Sequence, residues 1–358
     1  MKSLKEVSVI IPLYNAQTTI CACLESLISQ RQLPREIIVV DNGSTDTSVS
    51  TVRKFIQDAG CSIIRLAEER KRGPSAARNH GARIAQSEII AFTDSDCFLP
   101  QDWVEGIIRE FSVPGCPDII AGGAEALEKE SVINKFMYIL RKKTSGLGKH
   151  VTYFNEHSFF NGPVFQSMNI AMPRKVFDVL GGFDEEYIYA AGEDSDFCER
   201  ALKINAIIKF CPDVIVYHCE RDSIKGLFKQ FYTYELGAAK HFRKHYKGTW
   251  VFGFPHIGIS IRHVGSGTIC LCKPSFLIVA LLPILWLGFT GYIWASLLLS
   301  ISYLITGYIY AVRFQCSDEI KFSRWSDTFL LAFYITIKQS AHIMGRFTGS
   351  IKYGVIYF

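Results

Sequence analysis

None of the 11 cysteines forms a CxxC pair, and the two CxC pairs, Cys21/Cys23 and Cys270/Cys272, have no second half and no nearby histidine. That argues against a zinc ribbon. Met1–Glu6 is polar, and the apolar run behind it closes at Pro12 after about six residues, too short for a secretory leader. The expectation is therefore reduced thiols in a chain without a leader, not a secreted disulfide framework. A dominant sign of charge is also missing. Lys+Arg is 39 and Asp+Glu is 34, a net charge of +5, which gives no ground for a nucleic-acid partner. Low-complexity tracts are absent too: 49% hydrophobic, 13% aromatic and 20% charged residues exclude a disordered chain. One absence is local. From Pro274 to Val312, 39 residues pass without Asp, Glu, Lys, Arg or His. The mean hydropathy of +0.16 therefore averages two different environments.

What is present begins with alternation. Val7–Ile11, Glu36–Val40, Ser62–Leu66 and Glu88–Phe92 read as buried strands. Thr18–Ser29, Thr47–Ala59 and Ser75–Gln86 read as helices between them. That order builds an α/β, mostly parallel sheet covered by helices. Farther on, Ile119–Gly123, Met168–Met172, Ile207–Phe210 and Val214–His218 read as strands, Arg174–Leu180 and Asp194–Asn205 as helices, and Lys129–His150 as a loop or loose helix.

Arg221–Lys247 carries apolar residues at steps of three or four and seven Lys/Arg against Asp222 and Glu235. A basic amphipathic helix suits a membrane surface. A solvated helix packed on the preceding domain fits the periodicity as well. The uncharged run suggests a hairpin of roughly 275–289 and 292–312, spanning or re-entrant, with basic flanks that put both ends in the cytoplasm. Thr328–Ile337 reads as an interfacial helix or a third span. The expected division is 1–220, 221–273, 274–312 and 313–358.

Polar clusters sit where the strands end, the usual place for a ligand in such sheets. Asp94-Ser95-Asp96 follows a strand, and two carboxylates one residue apart can hold a divalent ion; a solvated acidic turn is the plainer reading. In Asp41–Asp46, Asp46 can cap the next helix, while a carboxylate and hydroxyls there can meet a base and a ribose. Gly73–Gly81 lacks the GK[ST] of a phosphate-binding P-loop, but Arg78 can meet a phosphate or a carboxylate. Glu193, Asp194 and Asp196 open a helix. The helix dipole favours acids there, yet three in four residues exceed capping needs, and one can serve as a general base. His218 at a strand end is either structural or a third metal ligand.

Taken in order, VSVIIPLYN (7–15), VDNGSTD (40–46), GPSAARN (73–79), FTDSD (92–96), GGFD (181–184) and GEDSDFCER (192–200) resemble the motifs of family 2 glycosyltransferases over roughly residues 7–220. Gln230 and Tyr234 lie near, but not in register with, a helix pattern of membrane-associated members. The resemblance implies a GT-A fold, Rossmann-like, followed here by an amphipathic helix and C-terminal membrane helices. It implies an inverting, hexosyltransferase-like enzyme using a nucleotide sugar, UDP-linked by resemblance, and Mg²⁺ or Mn²⁺. By matched position, Pro12, Asn15, Asp41 and Ser44 would surround the nucleoside, with Arg78 organising that pocket. Asp94 and Asp96 would form the metal pair, Asp96 the more direct ligand, with His218 added. Asp194 would be the base, with Glu193 and Asp196 as competitors. Asn42 departs from the pattern, since many members carry a second Asp there. The expected acceptor is a glycan or lipid-linked hydroxyl at the cytoplasmic face of the plasma membrane, in cell-surface polysaccharide synthesis, with membrane lipids as partners. The alternatives are a polyprenyl-phosphate sugar synthase and a non-catalytic nucleotide-sugar-binding scaffold.

Overall fold

The computed structural model describes residues 6–127, 131–144, 152–154, 165–246, 249–254, 259–264, 269–272 and 325–357. Two compact units emerge. The first comprises residues 1–127 and 140–220, the second 128–139 and 221–358.

The first unit is built on β1 (Val7–Leu13), β2 (Glu36–Asp41), β3 (Ile64–Glu68), β4 (Ile89–Phe92), β5 (Cys97–Phe98), β6 (Ile119–Ala126), β7 (Thr152–Phe154), β8 (Ile170–Pro173) and β9 (Ile208–His218). The sheet order is β3-β2-β1-β4-β8-β6-β9-β5, with β7 also on β9. β3, β2, β1 and β4 run parallel, as the alternation of strands and helices requires. β8 is antiparallel to both β4 and β6, so the sheet is mixed.

The side-chain period of two divides the core. Val9, Ile11, Ile37 and Val39 join one apolar cluster with Leu24, Leu27 and Trp103. Ile10, Ile38 and Val40 join the other with Phe92, Phe177, Phe183 and Phe197. Helices cover both faces, so these strands read as continuous apolar runs. They are α1 (Ile20–Ile28), α2 (Ser48–Ala59), α3 (Pro74–Ile84), α4 (Trp103–Ser112), α6 (Arg174–Leu180) and α7 (Glu193–Lys203); a further helix, α5 (Val132–Thr144), lies mostly within the second unit's part of the chain. A Cβ at Gly81 of α3 would sit 2.4 Å from Ile10 Cγ2, so only glycine allows this helix so close to β1.

Some expectations need correction. Pro12 does not stop β1; it pairs with Val40 of β2, while the β1–β4 ladder has already ended at Ile10–Phe92. Its missing N–H therefore costs the sheet no bond on the β4 side. Ile207–Phe210 and Val214–His218 form one strand, β9, whose register on β6 shifts between Gly122 and Gly123. The buried Asn169 amide fills the irregularity, donating to Gly123 O and Val214 O at 2.7 Å each. Its own Oδ1 accepts from Trp103 Nε1 at 2.9 Å. Of the two readings of 129–150, a loop or a loose helix, residues 132–144 form helix α5.

The second unit holds α8 (Ile224–His245), α9 (Trp325–Tyr353) and a small sheet of β10 (Thr249–Phe254), β11 (Ile259–Val264), β12 (Ile269–Cys272) and β13 (Ile356–Tyr357), ordered β11-β10-β12-β13. Ser223 caps α8, its hydroxyl accepting from Gly226 N at 3.1 Å. The stretch after α8, expected to continue as basic interfacial chain, forms strands; its TWVFGF and ISIRHV segments are rich in aromatic and β-branched residues.

Among the described residues no helix is long and apolar enough to cross a membrane. The run at 328–337, expected as an interfacial helix or a third span, is part of α9, whose Lys338, Arg346 and Lys352 limit its apolar length and weigh against the span. The hairpin expected at 274–312 lies outside the described residues.

Candidate active site

The ends of β1, β2 and β4 carry the polar clusters. Asn15 has a positive φ of 50°. Its Oδ1 accepts from Thr45 N at 2.8 Å and from Asp46 N at 3.3 Å, and its backbone N–H donates to Ser44 Oγ at 3.1 Å. Asn15 therefore ties the loop after β1 to the loop after β2. Asp46 faces inward to Ser48, accepting from its N at 2.9 Å, and from Gln17 N at 3.3 Å. Asp41 is buried at the end of β2, and its carboxylate accepts from Gly43 N at 3.3 Å and Ser44 N at 3.2 Å. A carboxylate has about four lone-pair sites, so Asp41 keeps acceptor capacity for a ligand. Pro12, half-buried, lies on β1 next to this pair of loops.

Asn42 has a structural role. Its Nδ2 donates to Glu69 O at 2.9 Å and Lys71 O at 2.8 Å, and its Oδ1 accepts from Gly73 N at 2.7 Å. An aspartate has no hydrogen to give either carbonyl. The departure from the family pattern at this position is thus matched by a local need for an amide.

Gly73 immediately precedes helix α3, and its φ of 124° and close approach to Tyr187 O exclude a side chain. Two residues of α3 reach across the unit. Asn79 donates to Phe183 O at 2.8 Å and accepts from Phe183 N at 2.8 Å, holding the Gly181–Asp184 turn. Arg78 is 1% exposed, with its guanidinium 5.6 Å from the centre of the Phe183 ring. Its Nη2 donates to Asp94 Oδ1 at 2.8 Å and its Nη1 to Glu193 Oε1 at 3.1 Å. The structure thus places Arg78 between the DSD turn and the acidic helix, rather than at the Asp41–Ser44 loop.

The DSD turn is itself anchored. Thr93 N donates to Ile10 O at 3.1 Å and Cys97 N to Asp94 O at 3.1 Å. β5 then pairs antiparallel with the end of β9, setting Cys97 opposite His218, and Cys219 N donates to Asp96 O at 2.8 Å. This pairing brings His218 Nε2 to 3.4 Å from Asp96 Oδ1. The other ring nitrogen, Nδ1, lies 3.3 Å from Oε1 of Glu220, which is buried. With the proton on Nδ1, Nε2 presents its lone pair beside Asp96. An imidazole backed by a carboxylate is a common support for a metal ligand. Glu220 escaped the sequence reading. Its one signal is its place two residues beyond His218, and a lone Glu after a strand carries no pattern.

The three acids of α7 occupy different environments. Asp196 is fully buried and bound to Arg200 Nε at 2.8 Å. Glu193 is buried against Arg78. Burial and the neighbouring Asp194 charge push its carboxyl up to about 7, with Arg78 opposing. Asp194 is half-buried, and its Oδ1 accepts from Ser195 N at 2.7 Å. The buried thiols of Cys97 and Cys198 are pushed well up by loss of solvent, so neither is a nucleophile.

Asp94, Asp96, Arg78, Glu193, His218 and Glu220 are therefore connected through the short DSD turn, with Asp194 adjoining. Asn15, Asp41 and Ser44 form a second cluster at the neighbouring strand ends. Asp96 and His218, 3.4 Å apart, offer carboxylate and imidazole donors that suit a hard or borderline divalent ion, while Asp94, at the other end of the DSD turn, has its Oδ1 bound to Arg78.

The family model for glycosyl transferase family 2 matches residues 8–176. Glycosyltransferase AglE of Haloferax volcanii is 30% identical over 230 residues, 63% of this chain and 70% of AglE. The dolichyl N-acetyl-alpha-D-glucosaminyl phosphate 3-beta-D-2,3-diacetamido-2,3-dideoxy-beta-D-glucuronosyltransferase of Methanococcus voltae is 24% identical over 273 residues, 73% of this chain and 82% of that enzyme. A mannosyltransferase from Pyrobaculum calidifontis, solved with GDP-Man and Mn²⁺, superposes with a TM-score of 0.54 at 18% identity, over 96% of this chain and 88% of that one. That likeness identifies a mixed α/β, GT-A-like fold. By its ordered motifs and its similarity to these relatives, the chain belongs to glycosyl transferase family 2, and it is a glycosyltransferase.

Proposed function

We propose that this enzyme moves a sugar from a nucleotide sugar, UDP-linked, to a hydroxyl of a lipid-linked glycan at the cytoplasmic face of the plasma membrane, with inversion, in cell-surface polysaccharide synthesis. The observation that carries the proposal is the Arg78 bridge. It joins Asp94, at the end of β4, to Glu193, the neighbour of Asp194 on α7. A donor-binding turn and an acceptor-activating helix are thereby set in one frame. The Methanococcus voltae relative, whose name describes a dolichyl phosphate-linked sugar as acceptor, supports the acceptor class.

Asp41 and the Ser44 hydroxyl hold the nucleoside, the carboxylate accepting from the imide N–H of the base. Asp94, Asp96 and His218 would hold Mg²⁺ or Mn²⁺, which when bound supplies positive charge to the departing diphosphate as a Lewis acid. Asp194 takes the proton of the acceptor hydroxyl as that oxygen bonds to the anomeric carbon. The bond from the anomeric carbon to the diphosphate oxygen breaks on the opposite face, and the nucleoside diphosphate leaves. Arg78 keeps Glu193 from competing for that proton by binding its carboxylate oxygen.

The test is release of nucleoside diphosphate from a panel of nucleotide sugars by the full chain, with Mn²⁺ or Mg²⁺ added. One donor should be turned over, and Asp96→Ala should abolish the release. No turnover of any donor would favour a non-catalytic scaffold.

A further inference from the structure

Residues 184–192 join the Gly181–Asp184 turn to α7 and so deliver Asp194 to the site. Within this segment Glu186 N donates to Asp184 Oδ1 at 2.9 Å, Tyr187 N to Asp184 O at 3.2 Å and Ala191 N to Tyr189 O at 2.8 Å. Gly192, with a φ of 85°, turns the chain into the helix. Other contacts attach the segment to the rest of the sheet's ligand edge. Arg78 holds Glu193 at the far end. In the middle two backbones meet: a Cβ at Gly73 would lie 3.1 Å from Tyr187 O and 3.2 Å from Ile188 Cα. At the near end stands Glu185.

Both oxygens of the Glu185 carboxylate are engaged, each by a different element. Oε1 accepts from Asn79 Nδ2 of α3 at 2.9 Å, and Oε2 lies 2.6 Å from Lys71 Nζ on the loop before α3. The Lys71 hydrogen bond, helped by Asn79, holds the carboxyl below its usual range against the cost of burial, so the group is charged at neutral pH. The loop that carries Lys71 is itself fixed to the donor side. Asn42, next to Asp41, binds Glu69 O, Lys71 O and Gly73 N, and the Glu69 carboxylate accepts from Lys71 N at 2.8 Å. A chain of contacts therefore runs from the nucleoside loop, through Asn42, Lys71 and Glu185, to the segment that ends at Asp194.

We propose that Glu185 is a positioning residue for the transfer step: it sets the segment that carries Asp194 against the loop beside the nucleoside, and so fixes where the base stands relative to the donor. This deepens the proposed function and rests on its reading of Asp194 as the base and Asp41 as a nucleoside ligand. Magnitudes separate this role from a structural one. The Lys71 side chain is 61% exposed and that of Glu185 28%, and pairs so open to water add little to stability. Rates answer to small displacements, since a shift of about 1 Å can cost about 100-fold. Loss of the strap therefore shows in the rate before it shows in the fold. Asn79 is the opposite case: it is buried and also holds Phe183 N and O, so its loss harms folding.

The experiment uses the full chain with Mn²⁺ and a panel of UDP-glucose, UDP-galactose, UDP-N-acetylglucosamine and GDP-mannose. Nucleoside diphosphate release is followed with water in the place of the acceptor hydroxyl. On the donor that the wild type turns over, Glu185→Ala should lower kcat about 10- to 100-fold, with donor KM and melting temperature close to those of the wild type. Lys71→Met should lower kcat by less, because the Asn79 bond remains, and the double variant should be no slower than Glu185→Ala. Under single turnover on an Asp194→Asn background, Glu185→Ala should have no further effect, because the group it positions is gone. Four outcomes would overturn the inference while the proposed function stands: a kcat within about twofold of the wild type, a loss carried by donor KM, a loss that tracks the melting temperature, or the full loss again on the Asp194→Asn background. No turnover of any donor by the wild type would sink both.

Discussion

Arg78 and Glu193 form an ion pair sealed from solvent, Nη1 to Oε1 at 3.1 Å, with side chains 2% and 4% exposed. The same guanidinium holds Asp94 at 2.8 Å. Removing the cation strands two carboxylates in a site built around it. Arg78→Met should therefore lower unfolding stability by about 3–5 kcal/mol, the range for breaking a buried pair from one side. The double variant with Glu193→Gln should recover part of that loss. Urea denaturation of the two single variants and the double variant measures the coupling, and simple additivity would contradict the pairing.

The acids of α7 separate into supporting and acting groups. Asp194→Asn should cut the rate of transfer by roughly 10²–10⁴ while leaving the melting temperature close to that of the wild type. Asp196→Asn should instead lower the melting temperature, because Arg200 loses its charged partner at 2.8 Å. Steady-state rates and thermal melts on both variants check the split. A polyprenyl-phosphate acceptor, already ionised, would leave Asp194→Asn mostly active.

Glu220 acts through His218. With the carboxylate gone, the His218 ring loses the group that orients it toward Asp96. Loss of such a supporting carboxylate typically weakens metal affinity about 10- to 100-fold. Glu220→Ala should show a loss of that size for Mn²⁺ in calorimetric titration, and Glu220→Gln a smaller one. Equal affinities in all three proteins would assign Glu220 to folding alone.

Asn42→Asp restores the residue many family members carry and should still be harmful here. Two carbonyl oxygens, of Glu69 and Lys71, would face a carboxylate that cannot donate to them. Because both carbonyls are only partly buried, the expected cost lies toward the low end of about 1–3 kcal/mol per unsatisfied carbonyl. Thermal denaturation at neutral pH gives the readout.

The α8–α9 contact should weaken in acid. Burial alone raises the Glu235 carboxyl, but the His342 hydrogen bond and the Arg346 charge outweigh it and hold the group at about 2. A carboxyl lowered from its unfolded value of about 4.3 stabilises the fold fully above that pH and loses the effect as pH falls toward 2. The total at stake is about 3 kcal/mol. Stability of the wild type should fall through that window, and Glu235→Gln, already weaker at neutral pH, should show a flatter profile by circular dichroism.

The sequence by itself determined the first four strands and the three helices between them, because burial on both faces leaves continuous apolar runs in β1, β2 and β4, and the short apolar run before the edge strand β3 keeps the alternation. It also determined that the polar motifs stand at strand ends, and it identified the family through their order. Short or irregular elements escaped it. β5 has two residues and no period, and β9 reads as two strands because its bulge interrupts the pattern. Tertiary structure decided the partnerships. Arg78 and Glu193 are 115 residues apart, and no local spacing announces that α3 carries one against the other. The β5–β9 pairing alone sets Asp96 beside His218 and Glu220. Among the three acids of α7, Asp196 has its partner Arg200 four residues on in the same helix, a spacing the sequence shows, whereas Glu193 is locked by Arg78, which arrives from α3. Likewise the periodicity of α9 shows that apolar residues recur, while only the contacts of Gly345, Gly349 and Arg346 with α8 decide which of them remain on the surface.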